Sequence, residues 1–159
     1  MERHVLFGKF VRGLHHWAAG VAIIVLLMHA LFVFIHAAYK KPRELIWVAG
    51  VCLFLIVFGF AFVGYLLPWD QKGHWASVVA ANVAGSVPFI GGFLKRLIVG
   101  GEEFGAATLT RFYTLHVLVL PALLLLLITF HLFMVRRQGV SETWVDPSKV
   151  RRPNKFYPH

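Results

Sequence analysis

Six histidines stand within or at the edges of long apolar stretches: His15, His16, His29 and His36 in one, His116 and His131 in another. Ionisable side chains are expensive in such surroundings, so each is a candidate functional group. Their intervals narrow the chemistry. His15 and His29 are 14 residues apart, which at 100° per residue ends about 40° short of four helical turns, with a rise of about 21 Å. His116 and His131 are 15 apart, about 60° past four turns and about 22 Å along the axis. Each helix therefore presents two imidazoles on roughly one face, one towards each membrane surface. With both helices running in the same direction, His15 is level with His116 and His29 with His131. Two facing imidazole pairs are what two bis-histidine haems require. His16 lies about 220° round the helix from His29, so His15 is the better ligand. His36 shares the face of His29 but has no counterpart in the other helix.

The elements that must position these groups follow from composition. Of 159 residues, 58% are hydrophobic, 15% aromatic and 14% charged, with a mean hydropathy of +0.71. A small water-soluble domain cannot hide that much apolar surface. Cys52 is the only cysteine, which excludes a disulfide scaffold. Three stretches have the roughly 20 apolar residues that a span needs: about 11–39, 45–67 and 113–135, the last containing Pro121. A basic segment before the first invites a signal-peptide reading, but the apolar run is too long and no small-residue cleavage site follows it. A five-residue basic turn, 40–44, joins the first two spans. The loop 68–112 is rich in Gly, Pro and Ala and predicts one or two short interfacial helices, with Pro88 and Gly91-Gly92 as an interruption. Residues 1–139 form the membrane domain and 140–159 a polar basic tail. Lysine and arginine exceed acids by 9. Beside spans, that excess reads as surface flanking near lipid headgroups, not as a nucleic-acid groove. The turn and tail carry nine Lys/Arg and the opposite side seven, which puts the 40–44 turn and the C-terminus in the cytoplasm.

Glycine and arginine fit the same scheme. Gly50 and Gly64 of the second span repeat the 14-residue interval and would let two macrocycles approach the helix backbone. Propionates need cations near each surface. Arg12 and Arg111 fall at the outer level and Arg136 at the inner one, on the haem or quinone side.

At this point the residues are similar to a known family. The stretches KKPREL from Lys40, GYLLPWDQ from Gly64, TLTRFYTLHVLVLP from Thr108 and HLFMVRRQGVS from His131 resemble the N-terminal, haem-binding part of cytochrome b of the bc1/b6f complexes. The turn and the 15-residue interval resemble the cytochrome b6 branch. The resemblance implies an all-α integral membrane protein whose three transmembrane helices form part of a di-haem four-helix bundle. It implies two b-type haems, the outer held by His15 and His116 and the inner by His29 and His131, with quinol and quinone as substrates. Pro68 and Trp69 would help wall the quinol-oxidation pocket. The function implied is a subunit of a quinol oxidoreductase, not complete alone, carrying electrons across the membrane between quinol-oxidation and quinone-reduction sites.

Departures from the pattern shape the expected partners. The family has a further span before the first histidine helix, so either another subunit or chain is expected to supply it or the bundle is atypical. That helix carries the attachment cysteine in the b6 branch, and no covalent c-type haem is expected here. Phe32 stands where the family has an arginine for an inner propionate, leaving Lys40, Lys41, Arg136 and Arg137 as candidates. His16 replaces an arginine of the b6 branch. Further expected partners are a C-terminal cytochrome b half or subunit-IV-like chain, a Rieske iron–sulfur protein, a c-type cytochrome and membrane lipids, with no nucleic acid. The location expected is the bacterial cytoplasmic membrane in preference to the thylakoid. The alternative function keeps both haems in a conduit linking the quinone pool to a redox complex without a Rieske protein.

Overall fold

In hydrocarbon every backbone N–H and C=O must be satisfied within its own segment, so a chain this apolar crosses a membrane as helix. The computed structural model describes residues 7–101 and 103–139. In chain order it contains α1 (Gly8–Ile35), α2 (Glu44–Leu66), α3 (Gln71–Gly85), α4 (Gly91–Val99), α5 (Ala106–Thr114), a π turn (Leu115–Val119) and α6 (Leu120–Gln138). Three helical runs are long and apolar enough to span: α1, α2 and the 33-residue run Ala106–Gln138. There is no strand among the described residues. The chain is an all-helical integral membrane protein. The expected basic tail, 140–159, lies outside the described residues.

Helix ends differ from the sequence expectation for identifiable reasons. The first span was expected to run to residue 39, but α1 stops at Ile35. There Ala38 N–H bonds to Val33 O and Ala37 N–H to Phe34 O, with Ala37 left-handed at φ 52°. This is the paired bonding of a Schellman cap, formed without a glycine. His36 Nδ1 lies 2.8 Å from the Phe32 carbonyl, which also accepts from the His36 main-chain N–H. The third helical run begins earlier than expected, at Ala106. Its π turn lies just ahead of Pro121, which has no N–H to give and crowds the carbonyl four residues back. An i→i−5 bond from Leu120 to Leu115 keeps the ladder running through that gap.

Gly91 and Gly92, expected to interrupt structure, instead open α4. Gly91 passes so close to the Gly85 carbonyl that a Cβ there would overlap it. The close approach of α3 and α4 therefore requires glycine, and its signal in sequence is easily misread as a break.

By their contacts the described residues divide into two compact units, 7–57 with 126–139, and 58–125, the divisions falling within α2 and α6. The second has a small core of Val63, Leu66 and Phe112, with Trp69, Ile98 and Leu120 packed on it. Two buried hydroxyls tie it together. Ser77 Oγ donates to Gly73 O, and Thr108 Oγ1 accepts from Gly105 N–H while donating to Val99 O at 2.6 Å. In the first unit, α1 has no buried residue. Its apolar side chains, such as Ile24 at 60% and Met28 at 65% exposure, are a surface for lipid or for other groups, not a core.

Candidate functional site

The first unit has a partly open cavity of about 220 Å³ whose lining includes His29 of α1, Gly50 of α2 and His131 of α6, with His29 exposed. That is several times the share of liquid volume of one water. Its walls are otherwise mainly aliphatic and aromatic and include Tyr39 and Trp47. These two rings lie 5.6 Å apart and both contact Phe34, forming an aromatic wall beside the 40–44 turn. His131 presses its ring edge on Gly50, where a Cβ would stand 3.3 Å from Cε1. Its Nδ1 is buried without a hydrogen-bond partner, although the Ile46 main chain lies beside the ring and His29 is near enough to interact electrostatically. With Nδ1 on the side of the α2 main chain, Nε2 is the ring nitrogen left to ligate. Among the described residues no group of three or more His, Cys, Asp or Glu could hold a bare metal ion. Two imidazoles facing one apolar cavity suit instead a haem, whose macrocycle supplies the remaining donors.

The second unit repeats one part of this arrangement. His116, within the π turn, sets its ring against Gly64 of α2, where a Cβ would lie 2.8 Å from Cε1. Phe60 meets the same ring edge-on at 5.3 Å. A π turn holds one more residue than an α turn. The histidine interval of this helical run, 15 against 14 in α1, thus has a place for its extra residue. The glycines expected to face macrocycles face, in the structure, the imidazoles themselves.

The remaining residues singled out in sequence are placed as follows. His15 and Arg12 are exposed on α1, and Arg136 is exposed near the end of α6. Arg111 sends Nη1 to the carbonyls of Arg96 (3.2 Å) and Leu97, at the C-terminal end of α4. It passes over Gly100, left-handed at φ 81°, where a Cβ would meet its Nε at 2.7 Å. Pro68 and Trp69 form the bend after α2. Trp69 has φ 50° and donates its N–H to Leu66 O, packing on the core of its unit. Asp70 then caps α3 by accepting from Gly73 N–H at 2.8 Å.

Three contributors were missed in sequence. Phe60 had no signal beyond hydrophobicity. Arg43, taken as one more charge of a basic turn, lines the cavity with His29 and His131. Its Nε donates to the carbonyl of Gly139, 3.2 Å away across 96 positions of sequence. Gly139, at φ 77°, ends α6 in the left-handed conformation that favours glycine. Its pairing with Arg43 has no local signal in the sequence.

Comparison with known proteins follows from this geometry. Residues 17–159 match the family described as Cytochrome b(N-terminal)/b6/petB. The chain is 48% identical over 142 residues to the menaquinol:cytochrome c reductase cytochrome b subunit of Geobacillus thermodenitrificans, covering 89% of this chain and 63% of that one. It is 45% identical over 137 residues to cytochrome b6 of Synechococcus sp. (strain JA-3-3Ab), covering 86% and 64%. A chain of the solved structure titled "Hyperthermophilic respiratory Complex III" is similar with a TM-score of 0.79 and 29% identity, over 99% of this chain and 41% of that chain. The chain thus spans less than two thirds of the length of these curated relatives.

Proposed function

This chain belongs to the cytochrome b N-terminal/b6 family, and from that premise we propose that it is the di-haem part of a membrane quinol oxidoreductase of the bc/b6f type. The observation that carries the reading is the cavity that His29 and His131 both line, with Gly50 against the ring of His131. When bound there, a b-type haem supplies a one-electron Fe(III)/Fe(II) couple. The chain's own residues do the rest. His29 and His131 present ligand nitrogens from two helices, and Gly50 fixes the ring of His131 by leaving no Cβ beside it. The aliphatic and aromatic walls exclude water, which lowers the local dielectric and strengthens nearby charges. His15 and His116 are the second ligand pair. That pair rests on interval and resemblance, and His15 precedes the segment matched by the family.

Electrons from quinol would pass between the two haem levels to a quinone on the other side, with Pro68 and Trp69 in the wall of the quinol pocket. Arg12, Arg111 and Arg136 remain the proposed surface cations, with Arg111 also engaged on α4. The assembly would include chains completing the quinol site and the bundle, a Rieske protein and a c-type cytochrome. Similarity to a menaquinol:cytochrome c reductase subunit and to a Complex III chain favours this assembly over the non-Rieske conduit.

A pyridine haemochrome assay with reduced-minus-oxidised spectra tests the reading. Two b haems per chain are expected, and His29→Leu should leave one. A chain purified with its complex and without haem would refute the proposal.

A further inference from the structure

The helical run Ala106–Gln138 is anchored at its N-terminal end by packing in which no histidine takes part. Thr108 of α5 is buried on its bonds to Val99 O and Gly105 N–H, and Phe112 is buried against Val63 and Leu66. These contacts fix the rotation with which the chain enters the turn that holds His116. The main-chain bonds then show where the spacing changes. Leu115 N–H bonds to Arg111 O, four residues back as in any α-helix, whereas Leu120 N–H bonds to Leu115 O, five back. One residue more than an α turn needs is therefore taken in between Leu115 and Leu120. Pro121 supplies the cause, since it has no N–H to give and its ring crowds the carbonyl of Val117, four residues back. A wider turn relieves that contact. At the entrance, Thr114 Oγ1 donates to Thr110 O at 2.9 Å, an i−4 side-chain bond of the kind that bends helices.

The rotations bear on the ligand spacing. Fifteen α-helical steps from His116 to His131 overrun four turns by about 60°, while fourteen from His15 to His29 fall about 40° short. A residue absorbed by the turn takes back as much as about 100°, one residue's rotation, which is enough to cancel the overrun. We infer that the π turn, held open by Pro121, is the element that positions His116 as a haem ligand, with its ring against Gly64 and Phe60 at its edge. Pro121 is thus a positioning residue that acts through the turn. This rests on the di-haem reading and adds to it that one residue between His116 and Pro121 is surplus to the ligand spacing.

The test uses membranes containing the full chain with its complex, as wild type, with Leu118 removed, with Leu126 removed, and as Pro121→Ala. Haem per chain is counted by pyridine haemochrome and each haem is titrated potentiometrically. The low-spin ferric signals are recorded by electron paramagnetic resonance. Removing Leu118 should close the π turn to an α turn and keep two haems, both with wild-type midpoints. Removing Leu126 shortens the histidine interval equally but leaves Pro121 and its turn in place, and should lose one haem. Pro121→Ala should displace the midpoint and the ferric signal of one haem and leave those of the other unchanged. Loss of a haem on removal of Leu118 would overturn the inference. So would two haems with unchanged midpoints after removal of Leu126, or in Pro121→Ala. If the chain without Leu118 does not assemble, Pro121→Ala decides: a shift confined to one haem supports the inference and two unchanged midpoints refute it. Absence of haem from the wild type would instead bring down the di-haem reading, an outcome distinct from unchanged midpoints.

Discussion

Both units solve one packing problem, an imidazole from the helical run Ala106–Gln138 lying against a glycine of α2, but they surround it differently. His131 meets Gly50 tightly, an added Cβ standing 3.3 Å from Cε1, beside a cavity with one arginine among its described lining residues. His116 meets Gly64 half an ångström closer, inside a π turn, with Phe60 at its edge. The arginines diverge as well. Arg43 is tethered by Nε at the cavity wall, whereas Arg111 is spent on the carbonyl end of α4. Nearness in sequence to a histidine does not make a cation part of its site. Its own hydrogen bonds decide where the charge goes.

The largest expected effect separates the two regions outright. His131→Leu should reduce haem from two per chain to one, and His116→Leu should remove the other, as read by haemochrome and by the midpoint that survives. Loss of both haems from either single variant would break the comparison by making the two regions one cooperative unit. Next are the glycines. An added methyl at Gly64 must displace the His116 ring, because the gap is 2.8 Å, while at Gly50 it is 3.3 Å. Gly64→Ala should cost about 1–3 kcal/mol as overpacking and Gly50→Ala less, in thermal unfolding of the detergent-solubilised protein. Equal losses would mean that the closer contact relaxes freely.

Thr108→Val probes a hub found only in the second unit. It leaves Val99 O and Gly105 N–H without the hydroxyl, at about 1–3 kcal/mol for a buried group left unpaired. The haem titrating with His131 should keep its midpoint. The smallest effect expected is from Asp70→Ala, which removes the α3 cap for about 1 kcal/mol. A change in haem content from that variant would show that the bend at Pro68 and Trp69 controls more than the local helix.

Much of this was legible from residue types. The apolar runs had to become helices, and a histidine interval close to four turns had to place each pair along one face. Gly50 and Gly64 were recognisable by that same interval, although their direct neighbours proved to be imidazoles. Gly91 was misread, since a sequence cannot distinguish a glycine that ends a helix from one that lets two helices touch. The stop of α1 at Ile35 was missed because Ala37 takes a left-handed conformation without glycine. Arg43 was hidden among the charges of a basic turn.

The sequence by itself determined the helical class, the crossing of a membrane and which histidines could pair, because hydropathy and helical period are local properties of the chain. Tertiary structure alone decided which glycine bears which ring, that Arg111 turns to α4, and that Arg43 reaches Gly139 and the cavity. Those outcomes depend on contacts between residues as far apart as 96 positions, and no local pattern encodes a hydrogen bond over that distance.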